Sequence, residues 1–181
     1  AGYSSYEGLQ EPEPYRSPSS YEPTYDAPPA EDELEVGLGH IRRMDPDFDP
    51  QHFKDQCLDT IFRLQAAWGK RDMSDVSDLL TAEMQRIMQG QADELRAAKR
   101  INRLENIAVR AIDIVEAWQE EGQDFITVRF YANLLDYTVD ELTGQVVAGS
   151  ATEPVKFEEY WTFTRPVGGG RWKLSAVTQA S

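Results

Sequence analysis

PVKFEEYWTFTRPVGGGRWKLSAVTQ, residues 154–179, is the stretch whose reading decides the fold. Val155, Phe157, Glu159, Trp161 and Phe163 alternate with Lys156, Glu158, Tyr160, Thr162 and Thr164. A period of two marks a strand whose two faces meet different surroundings. Gly168, Gly169 and Gly170 tolerate backbone angles closed to other residues, so the chain reverses there. Trp172, Leu174 and Ala176 then continue the apolar row on the returning strand. A single carboxylate, Glu159, stands in the aromatic row.

Just upstream, residues 124–138 alternate as cleanly. Ile126, Val128, Phe130, Ala132 and Leu134 form an apolar face, and Phe125, Thr127, Arg129, Tyr131, Asn133 and Tyr137 occupy the other. Residues 140–145, with Thr143-Gly144, read as a turn, and residues 149–154 as a loop into the next strand. Residues 104–119 fit either periodicity. Leu104, Ile107, Ala108, Ala111, Ile112 and Val115 suit a helix, whereas β-branched enrichment and the alternation of Ile112, Ile114 and Trp118 suit a strand. Position favours the strand, because Glu120-Glu121-Gly122 makes a hairpin into the next one.

The first ordered half reads as helical. Asp49 followed by Pro50 supplies an N-cap acceptor and a proline at N1. Phe53, Cys57, Ile61, Leu64 and Trp68 then share a face, with Leu58 and Phe62 beside them, and Gly69 closes the helix. Burial against a sheet explains such a face, with membrane or partner contact as the other reading. Residues 74–80 form a short helix, and Thr81 caps another bearing Met84, Ile87, Met88, Leu95 and Ala98. Gly90 weakens that helix by ~1 kcal/mol relative to alanine. Arg96, Arg100 and Arg103 fall on one face of the continued helix, with Lys99 adjacent. They pair with Asp93 and Glu94 as a solvated face, or they meet phospholipid headgroups or an acidic partner.

Residues 1–40 differ in kind. They hold nine acids against the one base Arg16, five of the eight tyrosines and six of the ten prolines. Too little apolar surface is present to offset ordering entropy, so this reads as a disordered acidic linker with the domain at 41–181. As a flexible tether it spans roughly 35 Å. Of the net charge of −14, the linker carries −8 and residues 41–181 carry −6, so nucleic acid is excluded as a partner. No stretch approaches the ~20 apolar residues of a membrane span. The chain opens on Ala1 rather than methionine, and an anchor upstream of Ala1 is expected.

Catalytic signatures are missing. There is no nucleophile motif, no phosphate-cradling loop and no histidine or cysteine pair, so no catalytic residue, metal or cofactor is assigned. Cys57 is the lone cysteine, and His52 lies around the helix from it. One constellation remains: Arg129, Tyr131, Asn133 and Glu159, with Glu116 near, among Phe157, Trp161, Phe163 and Trp172. It reads as a ligand pocket, and the alternative is that Glu159 pairs with Arg129 or Arg171 to fix the sheet.

LENIAVRAIDIVEAW, DFITVRFYANLLDYTVDELTG, PVKFEEYWTFTR and GGRWKLSAV, preceded by DPDFDPQHF and LLTAEM, resemble the Tim44-like domain family. The likeness covers residues 41–179. It implies an α+β domain with N-terminal helices on a curved four-stranded antiparallel sheet, cone-shaped and related to nuclear-transport-factor-two and cystatin-like folds, with a large apolar pocket. It further implies a non-enzymatic scaffold at the inner membrane that recruits an Hsp-seventy chaperone or translocase components. A binding module for a lipid acyl chain or hydrophobic peptide is the alternative. Bacterial relatives carry membrane spans ahead of a low-complexity stretch.

Overall fold

A computed structural model describes residues 30–180 of the chain. Four helical segments come first and four strands follow: α1 Ala30–Met44, α2 Pro50–Lys70, a 3-10 segment Met73–Leu79, α3 Ala82–Ala97, then β1 Arg100–Glu120, β2 Gln123–Asp140, β3 Val146–Pro166 and β4 Lys173–Gln179. The strands form one antiparallel sheet in the order β1-β2-β3-β4. This is the α+β class expected from helices followed by strands.

The boundary set at residue 41 falls inside α1, so the helical domain starts earlier than composition suggested. Leu34, Leu38 and Ile41 repeat at helical spacing, and Leu38 and Ile41 are buried. Gly37 is there for contact: a Cβ at this position would lie 1.9 Å from the Ala117 carbonyl oxygen, so only glycine lets α1 approach β1 so closely. The acidic-linker reading of residues 1–29 lies outside the described residues.

α2 starts as its cap predicts, with the Gln51 N–H donating to the Asp49 carboxylate at 3.2 Å. It runs past Gly69 and closes instead on Arg71, which takes the left-handed conformation. Phe53, Cys57, Ile61, Leu64 and Trp68 are buried as expected, but Phe62 is exposed. Thr81 caps α3, accepting from the Met84 N–H at 3.2 Å.

Glu121 and Gly122, both at positive φ, form the two-residue turn that joins β1 to β2. β1 thus resolves as a strand, beginning at Arg100 rather than 104. The expected loop at 149–154 lies within β3. Its physical basis is still visible, because Ser150 opposes Asp136 and Val155 opposes Leu134, leaving residues 151–154 to bulge from the ladder. A second bulge between Thr162 and Phe163 shifts the inward row of β4, so Val177 is buried where Ala176 was expected.

The core lies between the helices and one face of the sheet. Ile126, Val128, Phe130, Ala132 and Leu134 of β2 and Phe157, Trp161 and Phe163 of β3 meet Phe53, Ile61 and Leu64 of α2. Aromatic rings concentrate where α2 begins: Phe53 sits edge-on to Phe163 at 5.7 Å and to Trp172 at 5.1 Å.

Candidate functional site

The expected pocket does not assemble as one site. Phe130 opposes Glu159 across β2 and β3, which puts Glu159 with the inward row of β2 and puts Arg129, Tyr131 and Asn133 on the opposite face. On that outer face Arg129 donates from Nε to Glu158 at 2.8 Å and from a terminal nitrogen to Asp113 at 3.3 Å. Its guanidinium lies 5.7 Å from the Tyr131 ring centroid, and Arg110 donates to Asn133 at 2.7 Å. The hydrogen bond from Arg129 to Glu158 strengthens its hold on its proton. Neither Arg129 nor Arg171 pairs with Glu159, since sheet parity separates the first and Asp78 holds the second.

Glu159 is 1% exposed, in the core, and accepts a hydrogen bond from Trp161 Nε1 at 3.0 Å. Phe157, Trp161 and Phe163 share its face and are buried. Six of the eight expected pocket residues therefore serve the sheet's two faces. Of the eight, Phe163 and Trp172 border a cavity on the helix side of the sheet.

That cavity, about 290 Å³, opens between α2, the end of the 3-10 segment and the β3–β4 connection. Phe53, Cys57, Leu79, Phe163 and Trp172 give it apolar walls, and Gln56, Asp59, Thr60 and Arg171 give it polar ones. Burial pushes the Cys57 thiol well above its ordinary range, which disfavours the thiolate. At the rim Asp78 accepts both terminal nitrogens of Arg63, at 2.9 and 3.0 Å, and also pairs with Arg171. The Arg63 hydrogen bonds hold the Asp78 carboxyl below the usual range.

Sequence reading missed two buried polar centres. Arg165, 6% exposed, donates to Asp124 at 3.2 Å and to Asp45 at 2.9 Å, with its guanidinium 4.4 Å from the Trp172 ring centroid. It ties the α1–α2 connection to β2 and to the cavity wall. Asn102 accepts from Trp68 Nε1 at 2.9 Å and donates to Asp136 at 3.0 Å and Thr138 at 3.1 Å, which fastens α2 to β1 and β2. A lone arginine at the end of an aromatic strand, and a tryptophan closing an amphipathic helix, are the signals that pointed here.

The basic helix face is corrected too. α3 ends at Ala97, Lys99 adopts a left-handed backbone, and Arg100 and Arg103 belong to β1. Arg96 donates to the carbonyls of Lys70 and Arg71 at 3.3 and 3.1 Å rather than to Asp93 or Glu94, and Arg100 pairs with Asp140 at 2.9 Å. The four residues remain at one end of the molecule on three successive elements.

Among the described residues no cluster of three or more histidine, cysteine or acidic side chains is arranged to hold a metal ion. Among them, no helix is long and apolar enough to cross a membrane.

The profile of the Tim44-like domain matches residues 34–179. The intermembrane space region of the chloroplast protein ARC6 is similar in structure, with 11% identity and a TM-score of 0.45 over 75% of this chain and 100% of that one. A SEC-C motif-containing protein from Rhodopseudomonas palustris is similar at 12% identity and a TM-score of 0.33, over 64% of this chain and 72% of that one. No curated protein matches in sequence.

Proposed function

This chain belongs to the Tim44-like domain family, and on that premise we propose that it is a non-enzymatic scaffold held at the inner membrane. Its partners are proteins of transport or membrane-protein assembly, of the chaperone or translocase kind. The family match across residues 34–179 carries this reading. The polar contacts between elements support it. Arg165, Asn102 and Asp78 each bind groups from two or more separate elements, so the polar residues hold the frame together.

The test is photo-crosslinking of the full-length gene product in its native membranes, followed by identification of the captured proteins. Recovery in the membrane fraction with a reproducible set of transport or assembly partners is the expected result. A protein that fractionates away from membranes and captures nothing reproducible contradicts it.

The cavity favours a second reading, a module that binds one apolar group. Its volume sits at the lower edge of ligand pockets, about 300 Å³, enough for a short chain or one side chain. Native mass spectrometry of protein recovered from lipid-containing extract tests this. Bound mass lost when Thr60→Phe fills the cavity supports it, and repeated absence of bound mass sinks it.

A further inference from the structure

The cavity beside α2 has two unlike walls. Phe53, Phe163 and Trp172 form an aromatic one, with Phe53 edge-on to both other rings. Gln56, Asp59 and Thr60 form the other, and their spacing of three and four positions places them side by side on one turn of α2. Thr60 is 4% exposed. A buried hydroxyl is ordinarily hydrogen-bonded, yet Thr60 makes no hydrogen bond among the described residues, which leaves it open to an occupant of the cavity. Gln56 and Asp59 stand exposed at the mouth, and they too make no hydrogen bond or ion pair among the described residues.

The charges around the mouth favour a cation. Arg63, one turn beyond Asp59, feels that carboxylate but gives its terminal nitrogens to Asp78, at 2.9 and 3.0 Å, and to the Asp75 carbonyl at 3.2 Å. Arg171 pairs with the same Asp78. Arg165, behind Trp172, is matched by Asp45 and Asp124. Lys54 lies around the helix from Asp59. Asp78 between two guanidinium groups leaves one positive charge over, and Asp55 and Asp59 outweigh it. Residues 41–181 carry −6 overall, so the wider field has the same sign.

We propose that this site takes a small primary amine bearing one aromatic group. An ammonium carries three donors and no acceptor, and one turn of α2 offers it three acceptors: the Asp59 carboxylate, the Gln56 side-chain carbonyl and the Thr60 hydroxyl. The ring lies against Phe163 and Trp172, and Asp59 compensates the charge as water leaves. A carboxylic acid would set its charge against Asp59, with Arg171 already held by Asp78. An alcohol could satisfy Thr60 but would leave Asp59 without a counter-charge. The inference rests on the reading of the cavity as a binder of one apolar group, and adds the headgroup that selects it.

Isothermal titration calorimetry of the 181-residue chain tests it with three probes that share a ring and differ in the head: 2-phenylethylamine, 2-phenylethanol and 3-phenylpropionate. The amine should bind about tenfold more tightly than the alcohol, the increment of a charge-assisted hydrogen bond, and the carboxylate should not bind. Asp59→Asn should weaken the amine about tenfold and leave the alcohol unchanged, and Thr60→Val should weaken the amine severalfold. Asp55→Asn, on the same helix but outside the cavity, leaves all three probes as in the parent, and thermal melts confirm folding of each variant. Equal affinity for amine and alcohol, preference for the carboxylate, amine binding indifferent to Asp59→Asn, or no amine binding overturns the proposal. In any of those cases, bound mass of another apolar compound that Thr60→Phe abolishes leaves the cavity reading intact, so the two ideas fail separately.

Discussion

The two hairpins on either side of β3 carry apolar residues to opposite fates. At the β3–β4 connection, Phe163 and Trp172 close on Phe53 and Phe48, and Arg165 stacks on Trp172 from behind. At the β2–β3 connection, Leu142, Val146 and Val147 stand in solvent. Both turns are ordered and both cap the same sheet, so strand geometry does not account for the contrast. The difference is what each end meets. One is covered by α2 and the α1–α2 connection, and the other meets the ends of α2 and α3, at Arg71 and Lys99, with its apolar side chains left uncovered. The packed end supplies stability, and the bare end is available for contact.

Substitutions should separate these roles, beginning with the largest effect. Arg165→Ala removes the cation between Asp45 and the fully buried Asp124. Loss of one partner from a buried pair should destabilise the domain by about 3–5 kcal/mol, measured by urea denaturation. A loss below about 1 kcal/mol would show that the aromatic cluster holds this end without the ion pair.

Asp78→Asn is the intermediate case. Its ion pairs with Arg63 and Arg171 are half-exposed, so screening limits the loss at pH 7 to about 0.5–1 kcal/mol. The pH dependence has a definite sign. The folded-state pKa of Asp78 is depressed, so its contribution is complete above the unfolded value of about 3.9 and disappears as pH falls through the folded value. Melting temperature against pH should therefore decline less steeply below about pH 4 in Asp78→Asn than in the parent. Parallel curves would rule out this contribution.

Leu142→Asp should change stability least, within about 0.5 kcal/mol, because the side chain is already in water. A large loss would mean that the tip is part of the packed frame.

Much of the fold was legible. Alternation in residues 124–138 and 154–179 identifies the central strands, and Asp49 and Thr81 mark the helix starts because caps are local chemistry. α1 escaped because the charge and low apolar content of residues 1–40, taken together, masked the short stripe of Leu34, Leu38 and Ile41 at its end. The site was less legible. Grouping Arg129 with Glu159 requires both to lie on one face, and only the cross-strand partner of Glu159, Phe130, settles that parity. The cavity joins Phe53 to Trp172, and Arg165 reaches Asp45, across sequence separations that no local pattern encodes. The basic residues were read onto one helix face, but Arg100 and Arg103 belong to β1. They lie at one end through the α3–β1 connection, and the apex beside them comes from a hairpin some forty positions later.

Hydrogen exchange of the free chain compares the two hairpins in one measurement. The account predicts slower exchange in residues 159–166 and 173–177, beside the buried Phe163 and Leu174, than in residues 138–148, where Leu142, Val146 and Val147 stand in solvent. Equal protection at the two hairpins, or the reverse order, would contradict it.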